Sequence, residues 1–157
     1  LASVIWHKKE DIESLNSADA FERKDENTIL ISFAKAYDVS GGTVLREISF
    51  DKETGSFTVS DHVVCDVDVP VFENLVTRYP VTVHTGQDHK NKVVIHGERH
   101  KLVIAFGEAA GAVLVTKEPH VNHEAQDELV NRISWEVLHN EQNADCKMYF
   151  YLEQPDK

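Results

Sequence analysis

The chain has 157 residues and a mass of 17.8 kDa, enough for one domain with a real core and not comfortably enough for two. With 41% apolar and 27% charged residues it is not a disordered chain, and no run approaches the roughly 18 apolar residues of a spanning helix. Sixteen basic against twenty-seven acidic side chains leave a net charge of −11, which argues against nucleic acid or an anionic membrane as partner, since both demand clustered Lys and Arg.

Taken in chain order, the segments alternate with a period of two. Ala2–Trp6 is a first short strand. In Thr28–Tyr37, Ile29, Ile31 and Phe33 share one face; in Thr43–Phe50, Val44, Ile48 and Phe50 do; in Ser56–Val64, Phe57, Val59 and Val63 do. Asp51-Lys52-Glu53-Thr54-Gly55 joins the last two runs and predicts a hairpin with Gly55 at a positive φ. Phe72–His84 is a long alternating run in which Pro80 marks a bulge or an edge. Lys92–His96 and His100–Phe106 flank Gly97-Glu98-Arg99, a tight turn. Ala112–Thr116 is a short strand closed by Glu118-Pro119, and Leu129–His139 and Cys146–Glu153 complete the set. Valine occurs 20 times and leucine 10, and Val, Ile and Thr together number 36, a composition suited to pleated surfaces rather than helix bundles. Asp19–Asp25 and His123–Glu128 have a helical tint but are too short and polar to bury a face. The predicted fold is an all-β antiparallel sandwich of about ten strands, a single domain over residues 1–157. Gly86–Asn91 and Asn140–Asp145 are polar hairpin tips, not linkers.

Two cysteines, Cys65 and Cys146, both in strand-like segments, leave one bridge or two buried thiols open; there is no CxxC. The first residues lack a charged leader segment and a small-residue cleavage site, so the chain is expected to be cut from a longer protein.

Nine histidines raise the question of a metal. His120-x-x-His123 beside Glu118 and Glu124 is the candidate pair, against the plainer alternative of a solvated surface. Neither a G-x-S-x-G elbow nor a phosphate-binding glycine loop is present. His62, His84 and Tyr79, the candidate bases, lie on strands with no identifiable partner. Asp61 shares the apolar face of Phe57, Val59 and Val63, which predicts a buried carboxylate accepting from Arg46 across the hairpin. Among Trp6, Trp135, Tyr37, Tyr79, Tyr149 and Tyr151, a platform for sugar rings falls best to Tyr149 and Tyr151, which alternate against Met148 and Phe150. Trp135, in phase with Ile133 and Val137, belongs to the core.

Asp25-Glu26-Asn27-Thr28, Ala36-Tyr37, Val44–Asp51 with Arg46 and Phe50, and Ser56–Val64 with Asp61 resemble the β-domain of heparinase II/III-type polysaccharide lyases, and Phe72–Phe106 is similar to the same families' long strand and hairpin. That resemblance implies the C-terminal β-sandwich of an enzyme that cleaves uronic-acid polysaccharides by β-elimination, from a secreted or periplasmic bacterial protein. Such lyases draw their catalytic Tyr, His and Asn or Glu largely from a preceding helical toroid and the cleft beside it. The family's His-Asn-Thr motif is incomplete here, because no His precedes Asn27-Thr28. The chain is therefore expected to be non-catalytic by itself, without cofactor, its partners being an upstream helical domain of the same protein and a polysaccharide. A carbohydrate-binding or adhesion module is the alternative, and a sandwich enzyme such as a sugar epimerase is a third.

Overall fold

The computed structural model of the chain describes residues 21–32, 42–64, 70–85, 91–107, 110–122, 124–140 and 143–153. The described residues form β structure throughout. Trp6, the strand Ala2–Trp6, Tyr37, Cys65 and His123 lie outside them, as does most of Gly86–Asn91.

Twelve strands are described: β1 (Phe21–Arg23), β2 (Thr28–Ser32), β3 (Thr43–Asp51), β4 (Ser56–Val64), β5 (Val71–Thr77), β6 (Val81–Thr85), β7 (Asn91–His96), β8 (Lys101–Phe106), β9 (Leu114–Val121), β10 (Asp127–Val137), β11 (His139–Asn140) and β12 (Asn143–Leu152). Every pairing is antiparallel. The large sheet runs β1-β2-β3-β4-β12-β8-β7-β6, with β11 folded back on β12, and the small sheet runs β5-β10-β9. The all-β sandwich is the fold observed.

The β3–β4 hairpin shows how local chemistry sets register. Gly55 takes φ +67° and donates its N–H to the Asp51 carbonyl at 2.9 Å, while the Asp51 carboxylate accepts from the Glu53 amide and the Thr54 hydroxyl. That turn opposes Ile48 to Val59 and Val44 to Val63, so one face of the hairpin is apolar. β12 enters between β4 and β8 and buries Ala144, Cys146, Met148 and Phe150 on the same side. The small sheet closes over that side with Leu75, Ile133, Trp135 and Val137, and Phe106 meets the Trp135 ring edge-on at 4.7 Å. Sheet on sheet, with period-two faces turned inward, builds the main core of the described residues.

Two expectations need correction. Phe72–His84 is not one interrupted strand: it splits into β5 in the small sheet and β6 in the large one. Pro80 cannot donate to a ladder, and the corner is held from both sides. Asn131 Nδ2 of β10 donates to the Tyr79 carbonyl at 2.8 Å, and the His96 amide of β7 donates to the Pro80 carbonyl at 2.9 Å. Likewise the strand expected to end before Pro119 continues through it as β9, because β9 is an edge strand and the missing N–H falls where no neighbour needs it. The helical tints also dissolve: Phe21–Arg23 is strand β1, and Asp127 begins β10.

Candidate functional site

Between the sheets lies a buried ionic cluster. Arg46 of β3 and Asp61 of β4 are cross-strand partners, and the guanidinium engages the carboxylate with two bonds, Nε to Oδ1 at 2.6 Å and Nη2 to Oδ2 at 2.8 Å. Nη2 also donates to Glu73 Oε2 at 3.0 Å, reaching across to β5. All three residues are buried. Burial pushes the Glu73 carboxyl up to about 7, and the neighbouring Asp61 charge adds to it, against the pull of Arg46. Glu73 sits opposite Trp135 on β10, whose indole N–H points to Cys146 Sγ at 3.4 Å. The Cys146 thiol is pushed up to about 11 by the same burial, so it is a protonated core thiol and a poor nucleophile. The Arg46–Asp61 bond is the one expected from the sequence. Glu73 was not foreseen, since nothing local in Val71–Thr77 announces that β5 will lie over β3 and β4.

The opposite, outward face of the large sheet carries the other candidate. Alternation along β12 turns Asp145, Lys147, Tyr149 and Tyr151 away from the core, and Tyr149 is 44% exposed. Register places Thr58 on one side of Tyr149 and Ala105 on the other, with Ser49 and Thr28 following Thr58 across β3 and β2. Small hydroxyl side chains thus run away from the ring, and beside them a groove of about 710 Å³ is lined by Leu30, Leu45, Ser60, His62, Lys147 and Tyr149. The Lys147 ammonium lies 5.3 Å from the centre of the Tyr149 ring. At the groove's end His62 Nδ1 and Asp145 Oδ1 are 2.6 Å apart. His62 therefore has a partner that the sequence did not reveal, because Asp145 lies 83 residues away and becomes its neighbour only when β12 pairs with β4.

The remaining candidates do not converge. Tyr79 sits at the β5–β6 corner and His84 near the end of β6. His120 is exposed on β9, its Nε2 4.0 Å from Glu128 Oε1. No three His, Cys, Asp or Glu side chains among the described residues lie together as metal ligands. Tyr149 and Tyr151 do share one face, as alternation requires.

A second cavity, about 380 Å³, opens between the sheets where β5 ends, lined by Phe57, Leu75, Tyr79, Ile95, Leu102 and Phe150. It lies over the part of the large sheet's inner face beyond the end of β5.

No protein-family model matches the chain, and no curated protein matches it. Among solved structures it is similar to a heparan sulfate lyase, HepC, from Pedobacter heparinus, in a mutant form. The likeness has a TM-score of 0.57 at 12% identity over 86% of this chain, and spans 21% of that one. At that identity it is a shared fold, a heparinase-like β-sandwich, over about a fifth of the lyase's length.

Proposed function

We propose that the chain is the non-catalytic β-sandwich portion of a heparinase II/III-like polysaccharide lyase acting on a uronic-acid polysaccharide. The observation that carries the reading is the fold match over 86% of the chain to a heparan sulfate lyase about five times its matched length. It joins the motif resemblance through Arg46, Phe50 and Asp61, which rests on residues and not on backbone shape. β-Elimination needs a base at C5, an acid at the leaving oxygen and a group neutralising the uronate. Here Arg46 and Asp61 are spent on each other and Glu73 in the core, and Tyr79 and His84 stand apart. The chemistry then falls to an upstream helical domain, and this domain supplies packing and a wall for the sugar chain. The same reading places the protein outside the cytoplasm, in a secreted or periplasmic setting, where such polysaccharides are met. Exposed Phe72, Val76 and Leu114, which share the outward face of the small sheet, fit a surface made to be covered by a further domain.

The test is direct, because elimination leaves an unsaturated uronate that absorbs in the near ultraviolet. Purified 157-residue chain is expected to release none from heparin, heparan sulfate or alginate. Sustained release that His62→Ala abolishes would make the domain an enzyme by itself. A second reading, a carbohydrate-binding or adhesion module, is favoured by one feature, the exposed Tyr149 at the edge of the groove on the large sheet's outward face.

A further inference from the structure

The outward face of the large sheet departs from the charge balance of the whole chain. Around the tyrosines the carboxylates are already engaged: Glu47 by Lys24 at 2.6 Å, Asp145 by His62, and Glu153 by Lys101 at 2.7 Å. Two cations on the same face are not. Lys92 and Lys147 are exposed and make no ion pair among the described residues, in a chain with eleven more acids than bases. Register fixes where they stand. Lys92 of β7, Ala105 of β8 and Tyr149 of β12 follow one another across three adjacent strands, which puts Lys92 about 10 Å from Tyr149 at the spacing of paired strands. Lys147 stands two residues before Tyr149 on the other diagonal, its ammonium 5.3 Å from the ring. Between the lysines the floor is low, formed by Ala105 of β8, while the Ser60 and Thr58 hydroxyls of β4 flank Lys147 and Tyr149 on the other side of β12.

We propose that this face binds an anionic saccharide chain, with sugar rings over Tyr149 and Tyr151 and the chain's carboxylate or sulfate groups on Lys92 and Lys147. The proposal rests on the reading that a polysaccharide is the partner, and it adds a site and a charge preference that the fold alone does not carry. An aromatic face attracts the apolar side of a pyranose, the flanking hydroxyls exchange hydrogen bonds with its edge, and two uncompensated ammonium groups select against neutral chains. Single-stranded nucleic acid could also use rings and lysines, but two lysines in a strongly acidic chain are too few to hold a charged phosphate at every residue.

The experiment is a calorimetric titration of the 157-residue chain with a heparan sulfate hexasaccharide and, in parallel, a neutral cello-oligosaccharide of the same length. The sulfated chain is expected to bind more tightly, and its affinity to fall several-fold between about 50 and 200 mM salt. Lys92→Gln with Lys147→Gln is expected to weaken it about tenfold, the scale of two partly screened charge contacts, and to leave neutral binding unchanged. Tyr149→Ala is expected to weaken both ligands. Unchanged sulfated-chain affinity in the lysine variant overturns the charge preference, while a loss in Tyr149→Ala still upholds a polysaccharide partner. Failure of wild-type chain to bind either sugar, or binding that survives all three substitutions, overturns the site, and tighter binding of a single-stranded oligonucleotide overturns the ligand class. Far-UV circular dichroism of each variant establishes that the fold is intact.

Discussion

One guanidinium serves two carboxylates in the core, and the consequence is a pH dependence. Arg46 bonds both Asp61 and Glu73, yet burial lifts the Glu73 carboxyl from 4.5 to about 7, and the nearby Asp61 charge adds to the rise against the pull of Arg46. A carboxyl whose folded pKa is raised binds its proton more tightly in the native state than in the unfolded chain. Its contribution is complete below about 4.5 and is lost as pH rises through about 7, so the native state loses stability across that window. The size is on the order of 3 kcal/mol, taking 1.36 kcal/mol per pKa unit. Glu73→Gln keeps the shape and a hydrogen bond without the titration, and urea denaturation from pH 4.5 to 8 should show a flatter profile than the parent. Equal slopes would mean that Glu73 stays ionised beside Arg46. Of this cluster the Arg46–Asp61 half is legible in the sequence, because both residues lie on the alternating faces of two runs joined by a short polar turn, Lys52–Gly55. Glu73 is invisible, because its place depends on how a second sheet lies over the first.

At the scale of elements, the β3–β4 hairpin gives a test of register. Ile48 and Phe57 lie on the face packed against the core, and the Phe57 ring stacks on Phe150 with centroids 4.4 Å apart and planes within 5°. Phe50 occupies the same face two residues further along β3, yet it is 45% exposed, because it stands at the hairpin tip beyond the small sheet. Phe57→Ala and Ile48→Ala should each cost about 2–3 kcal/mol, toward the lower end for core truncations because both are only partly enclosed. Phe50→Ala should stay within about 0.5 kcal/mol of the parent. Chemical denaturation of the three variants measures all of this, and a reversed order would place the hairpin one residue out of register. Alternation was sufficient to put all three residues on one face; it could not tell that the face runs out before Phe50.

Among the described residues the two sheets are unequal, nine strands against three. The cavity beside Phe57, Ile95 and Phe150 lies over the large sheet's inner face beyond the end of β5. The small sheet is itself apolar on its outward side at Phe72, Val76 and Leu114. Those side chains already face water, so Phe72→Ser with Leu114→Ser should change the unfolding free energy by no more than about 1 kcal/mol. The same pair should sharply reduce binding of a hydrophobic dye such as ANS and self-association in sedimentation experiments. Undiminished dye binding would locate the sticky surface at the open cavity instead.

The sequence by itself determined the all-β class, the β3–β4 and β7–β8 hairpins, the core place of Trp135 and the outward turn of Tyr149, because each follows from period-two alternation or from a short turn. Only the tertiary structure decided which strands are neighbours. It divided Phe72–His84 between two sheets, brought Glu73 to Arg46, and set Asp145 against His62 and Lys92 in line with Tyr149. The last two of these juxtapositions join segments tens of residues apart through β12, which sits near the centre of the large sheet. Alternation assigns each side chain a face; pairing across long loops assigns it a neighbour, and that pairing is selected by the burial of the whole inner surface at once.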